Sequence, residues 1–317
     1  MDSFIIMLKN VLLFVALAVP GFTLVKTKLL KSEQSGGLST FLMYVGVPFL
    51  VLYSAINSIS FDKALLSLLL TSTILCIVFL FALYFLSAFV AKKGDEQKRG
   101  MIRFCTIFAN NGFLGIPLSI AVFGASSPAV TVLIVMNVIN NIMMYTMGIY
   151  LVSGDKTTMS LKKAFLNPVL IAFCIGVALN LINVSKYLPE AVTFAEHFSN
   201  TVTPLAMTVL GMKMGGISFL SLFRSVKTYY VSFLKLVAVP VFIVGVLFVL
   251  RLFIPAVNDD VILGSFIAFA MPTAGLSSLF ADHYGGDTEN AVAFTLGSTV
   301  LSVVAIPLLY WALTALL

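Results

Sequence analysis

Apolar runs of bilayer length follow one another along almost the whole chain, and nothing else constrains its fold as much. A helix needs about 20 residues to cross the hydrocarbon core of a membrane. Runs of that order occur at roughly 4–25, 38–58, 64–91, 101–123, 127–153, 168–185, 199–219, 227–254, 260–282 and 289–316. The 317 residues are 60% hydrophobic and only 10% charged, whereas a soluble protein carries about a quarter charged residues. The expected class is an all-α polytopic membrane protein with ten transmembrane helices.

Polar or glycine-rich breaks separate the runs, most clearly at 26–37, 92–100, 153–163, 223–227 and 258–260. Orientation follows from the lysine and arginine bias of short loops. With the N-terminus outside, the cytoplasmic loops hold Lys26, Lys28, Lys31, Lys92, Lys93, Lys98, Arg99, Arg103, Lys156, Lys162, Lys163, Arg224 and Lys227. The outer side holds only Lys9, Lys63, Lys186 and Arg251. Both termini are therefore expected outside a cell membrane crossed many times. This distribution accounts for the net charge of +6 without a nucleic-acid partner. The start Met1-Asp2-Ser3 lacks a basic region, and Lys9 interrupts the first apolar run, so the first run reads as a retained helix and not as a signal peptide.

Within the fourth run, Phe108-Ala-Asn-Asn-Gly-Phe-Leu-Gly-Ile-Pro117 places two asparagines, two glycines and a proline near mid-membrane. An unsatisfied backbone group costs several kcal/mol in lipid, so a break there must face protein or a cavity. The ninth run carries Phe269-Ala-Met-Pro-Thr-Ala-Gly275 at the corresponding depth, and Pro48 in the second run is matched by Pro204 in the seventh. Five helices per half would invert the second half, 154–317, relative to the first, 1–153. Transporters built on inverted repeats bind substrate where such broken helices meet.

The stretch Asn110-Asn111-Gly112-Phe113-Leu114-Gly115-Ile116-Pro117-Leu118 resembles the fourth-helix motif of the auxin efflux carrier family. So do Met271–Gly275, Ala281-Asp-His-Tyr-Gly285, Gly297–Ser302 and Ile306-Pro-Leu308. The family includes plant PIN-formed auxin exporters and bacterial malate or malonate permeases, and the likeness covers essentially the whole chain. It implies ten helices in two inverted five-helix repeats, crossing broken helices four and nine, an elevator-like division into scaffold and transport parts, and often a homodimer. The short link between runs five and six differs from the long hydrophilic loop of many plant exporters, so the chain looks more like the compact bacterial members.

Candidate substrate contacts follow. Asn110 and Asn111 can donate to a carboxylate or offer an amide oxygen to a cation, and the helix restarting after Gly112 turns its positive end to the midplane. The family motif implies that Asn110 is the carboxylate-binding asparagine. Met271, Pro272, Thr273 and Gly275 form the second half of the expected crossing. Asn137, Asn140, Asn141 and Tyr145 share one helical face, suited equally to interhelical bonds and to a pocket lining. Pro48, Pro117 and Pro204 are expected helix breaks or hinges. Lys213 is the best intramembrane charge, although a lysine near a helix end can snorkel; Lys235, near the inner end of its run, ranks below it. Ser298, Thr299 and Ser302 read as packing residues, as do Cys76, Cys105 and Cys174.

None of the thirteen acidic residues falls in the middle of a run, which disfavours a cation or proton antiporter built on a buried carboxylate pair. Two histidines leave no credible metal site, no cofactor is expected, and no hydrolase, metalloprotease or P-loop motif is present. An intramembrane enzyme or a non-transporting receptor is therefore disfavoured. The expected partner is a small organic anion, malate-like or auxin-like, carried by secondary transport or uniport among membrane lipids. A coupling ion, Na+ or H+, stays open.

Overall fold

A computed structural model describes residues 2–58, 63–92, 94–124, 127–155, 157, 166, 168–216 and 225–317. The basic residues Lys93, Lys156, Lys162, Lys163 and Arg224 lie outside the described residues, as does Met1. Among the described residues all regular structure is helical, apart from one isolated bridge between Ala109 and Thr273.

Among the described residues, six helices are long and apolar enough to cross a membrane. They belong to α1 (Asp2–Lys26), α2 (Ser32–Asn57), α3 (Lys63–Val90), α6 (Pro128–Ser153), α10 (Val226–Arg251) and α13 (Thr288–Thr314). The fourth expected run is two pieces, α4 (Glu96–Ile107) and α5 (Asn111–Phe123). The ninth is likewise divided, into α11 (Asp259–Ala270) and α12 (Ser277–Tyr284). Between them come α7 (Pro168–Leu181), the single turn α8 (Val184–Tyr187) and α9 (Pro189–Gly215).

Local chemistry sets several of these limits. Asp95 caps α4, its Oδ1 accepting from Lys98 N at 2.9 Å while its Oδ2 pairs with Lys98 Nζ at 2.8 Å. These Lys98 hydrogen bonds hold the Asp95 carboxyl below its ordinary value. Asn258 and Asp287 cap α11 and α13 in the same way, accepting from Val261 N and Asn290 N, which satisfies donors that a helix start leaves free.

The prolines act less as breaks than as causes of widened turns. Five-residue π-helical turns at Leu42–Gly46, Asn111–Gly115 and Leu234–Ala238 immediately precede Val47-Pro48, Ile116-Pro117 and Val239-Pro240. A proline ring clashes with the carbonyl four residues back, and a wider turn moves that carbonyl away. Pro48 and Pro117 thus sit in continuous helix just beyond a π turn. Pro204, expected to act as their hinge counterpart, lies exposed within an unbroken α9, where Thr208 Oγ1 donates to its carbonyl at 2.8 Å. The symmetry of Pro48 and Pro204 in sequence is not a symmetry of local structure.

α1 and α9 pack backbone to backbone. A Cβ on Gly21 would lie 1.9 Å from the Thr208 carbonyl oxygen, and one on Gly211 would lie 1.9 Å from that of Ala18. Small residues at such crossings let backbones approach where lipid supplies no hydrophobic drive. Cys76 and Cys105 are buried as expected, whereas Cys174 is exposed on α7.

Candidate substrate site at the paired helix breaks

The two helix breaks, whose bridged residues Ala109 and Thr273 are 164 positions apart in sequence, meet as an antiparallel pair. Asn110 N donates to the Pro272 carbonyl at 2.8 Å, and Ala274 N donates to the Phe108 carbonyl at 3.0 Å. Backbone groups freed by each break are thereby satisfied by the other, which is what a membrane interior demands. The first break falls at 108–110, a little before the Asn-Asn-Gly expected from sequence, and Asn111 and Gly112 already belong to the widened first turn of α5. The second occupies 271–276, where the extended Met271 follows α11 directly.

The second break is locked from within. Met271 and Thr273 are wholly buried, and Pro272 is buried with them. Thr273 Oγ1 donates to the Cys105 carbonyl at 2.9 Å, and Thr273 N donates to Ser298 Oγ at 3.2 Å. Met271, Pro272 and Thr273 therefore hold the pairing together and line neither cavity beside it. Gly275 does line them, next to Asn110. Ser298, read from sequence as packing, accepts the hydrogen bond that fixes Thr273; nothing local distinguished it from Thr295, Thr299 and Ser302 in the same helix.

The first break opens onto two connected spaces. The smaller, ≈ 40 Å³, is lined by Asn110, Asn111 and Gly112 from the break and by Asn137, Asn140 and Asn141 from α6. The α6 amide stripe thus lines a pocket. Asn141 Nδ2 donates to the Asn137 carbonyl at 2.8 Å and to Asn137 Oδ1 at 3.1 Å. Asn111 Oδ1 and Asn137 Nδ2, on residues only 2% and 1% exposed, have no partner. Buried polar atoms are nearly always paired, so two orphans at one pocket point to an absent ligand or water. Leu114 N and Gly115 N are the first helical donors of α5, both reaching the Asn110 carbonyl. The three preceding N–H groups, of Asn111, Gly112 and Phe113, form the free positive end of a helix at the same place.

The larger space, ≈ 360 Å³, shares Met43, Asn110, Phe113, Gly275 and Leu276 with the smaller one. It also meets Lys213 in the last turn of α9, with Glu33 and Asp282 at its exposed parts. Asn110 and Lys213, separate in sequence, thus line one cavity. Pro48, Pro117 and Pro204 line neither space.

Lys235 is the residue that the sequence reading undervalued. Its side chain is 0% exposed, and Nζ donates at 3.2 Å to the carbonyl of Ile107, the last residue of α4. Its position within the apolar α10 was the only signal in sequence.

Helices of membrane length, two broken helices paired at their breaks and a cavity lined in part by amides beside them fit a multi-pass membrane protein of the transporter class. Comparison with known proteins agrees. The family described as membrane transport protein matches twice, over residues 5–159 and 155–310. The chain belongs to that family, the auxin efflux carrier and permease family that its fourth-helix motif resembles. It is also 27% identical over 311 residues, 95% of this chain and 96% of the relative, to a protein named uncharacterized transporter from Methanothermobacter thermautotrophicus. Family and relative point to a transporter rather than an enzyme.

Proposed function

We propose that this protein is a secondary transporter or uniporter of small organic anions, working by alternating access at the paired breaks. The observation that carries this reading is the free head of α5, with its unpaired N–H groups, opening onto a pocket that also holds unpartnered buried amide atoms. A carboxylate accepts from such N–H groups and gains from the helix dipole. The smaller space has room for one carboxylate or a few waters. The larger space matches the lower end of the range for small-molecule sites. Asn110, common to both, contacts the carboxylate, and the substrate body lies toward Lys213. Malate-like mono- and dicarboxylates and auxin-like aromatic acids fit this division.

The architecture proposed with it is ten transmembrane helices in two inverted halves, 1–153 and 154–317. Four features support it: the double family match, the two divided runs, their antiparallel pairing and the positive bias of alternate loops. An elevator-like motion, a homodimer, a plasma-membrane location and extracytoplasmic termini belong to the same proposal.

Uptake of labelled malate, malonate and indole-3-acetate into proteoliposomes, with and without ion gradients, tests the function. Saturable flux lowered tenfold or more by Asn110→Ala supports it. Flux of a cation alone, indifferent to that substitution, overturns it. Cysteine labelling at Ser127 and Ser153 tests topology, because access to position 127 from the cytoplasm would reverse the orientation.

A further inference from the structure

Lys235 reaches the first break at Ile107 and lines neither of the two cavities there. It lies in the widened turn Leu234–Ala238 of α10, and that turn packs against α4, α11 and α13. Its Nζ reaches the Ile107 carbonyl, one of the groups left open at the C-terminal end of α4. The C-terminal end of a helix is negative and favours a cation. Yet among the described residues no carboxylate lies within ion-pair distance of Lys235. The neighbouring elements supply none: α4 presents Cys105, and its charged residues Glu96, Lys98, Arg99 and Arg103 all precede that position, Glu96 in the first turn; α11 has no ionisable residue between Asp260 and its end at Ala270, and α13 has none between Glu289 and Tyr310. On α10 itself the ionisable residues are Lys227, Tyr229, Tyr230 and Arg251, of which Tyr230 turns its hydroxyl to the Val90 carbonyl.

A polar track leads to this lysine. Thr228, Ser232 and Lys235 follow at intervals of four and three on one face of α10, and each is no more than 1% exposed. Thr228 Oγ1 and Ser232 Oγ have no hydrogen-bond partner. Gly297 of α13 lies against the same face, and a Cβ there would come within 2.2 Å of Thr228 Cγ2 and 3.8 Å of Ser232 Oγ. Buried hydroxyls without partners call for water. From Thr228, in the first turn of α10, the track runs inward to the helix break.

We propose that Lys235 is a proton-binding site whose occupancy is coupled to anion binding at the break. This rests on the anion reading above. An ammonium buried without a counter-ion is costly, and an anion at the head of α5 supplies the missing charge. Ile107 and Asn110 are three residues apart, so their Cα atoms lie within roughly 11 Å of one another, which sets the scale of the separation between the two charges. At an effective dielectric constant near 20, attraction over such a distance changes affinity on the order of tenfold. By linkage, the proton and the anion strengthen each other's binding equally. The proton comes from water when the anion binds and returns to water when it leaves; Thr228 and Ser232, whose hydroxyls have no partner, relay it only through intervening waters.

The test uses purified full-length protein in weak buffer with a pH-indicating dye. Malate, malonate or indole-3-acetate is added at pH values above the anion's own titration. The wild type is expected to take up roughly half a proton per anion bound, largest at the pH midway between the titrations of the free and the anion-bound protein, and to bind more tightly as pH falls. Lys235→Met should bind on the order of tenfold more weakly, take up no proton and show a flat pH profile. Lys235→Arg, with its charge fixed, should keep the affinity and lose both the proton uptake and the pH dependence. Wild-type binding without proton uptake, or unchanged uptake in either variant, overturns the coupling while the anion reading stands. Binding of no anion by the wild type overturns both.

Discussion

The two helix breaks look alike in sequence and differ in what surrounds them. The break at 108–110 restarts on a widened turn, carries two asparagines and opens onto two cavities. Most of the break at 271–276 is buried, and its only side-chain hydroxyl at the bridge, that of Thr273, is committed to the Cys105 carbonyl. One break has spent its hydrogen bonds on structure, while the other leaves buried amide atoms unspent. Unspent polarity within an apolar protein is costly, and a binding site is where such a cost is retained.

Substitutions can break or sharpen this contrast. The largest expected effect is Asn110→Ala, which should lower saturable carboxylate flux by tenfold to about a hundredfold, the worth of a hydrogen bond to a charged group. Its thermal midpoint should stay close to wild type, and a large drop would mean that both breaks are structural. Thr273→Val should do the reverse. It leaves the buried Cys105 carbonyl without its donor and should cost about 1–3 kcal/mol in unfolding measurements, at little change in substrate KM for the protein that remains folded.

Asn137→Leu sharpens the comparison further. Replacing a buried amide whose Nδ2 has no partner, and whose Oδ1 accepts only from Asn141, with an apolar group of similar size should stabilise the fold by about 1 kcal/mol while reducing flux. A loss of stability would show that Asn137 serves packing. Lys213→Met should raise KM about threefold with kcat unchanged, because charge effects at a partly exposed position are modest. That increase should shrink in high salt, and a salt-independent change would assign Lys213 a direct contact.

Asp95→Ala should have the smallest effect, a slight loss of stability from an uncapped α4. Because hydrogen bonds from Lys98 hold the Asp95 carboxyl below its ordinary value, its contribution is present above about pH 4 and is lost as pH falls further. Melting curves of variant and wild type should therefore converge in acid. A difference that persists there would place the effect elsewhere.

Sequence determined that the chain is a helical membrane protein, because membrane length and apolarity are local properties of each run. It also determined that the fourth and ninth runs are interrupted, since Asn110, Asn111, Pro272 and Gly275 disfavour regular helix wherever they occur. The stripe Asn137, Asn140 and Asn141 was legible as one face, but whether it met protein or a cavity was not. Tertiary structure alone decided that the breaks pair, that Thr273 is locked by Ser298 while Asn111 remains free, and that Lys235 reaches Ile107 across 128 positions of sequence. The reason is physical. Helix propensity and hydropathy act over a few residues, whereas a buried polar atom is satisfied or orphaned only by what other elements bring to it.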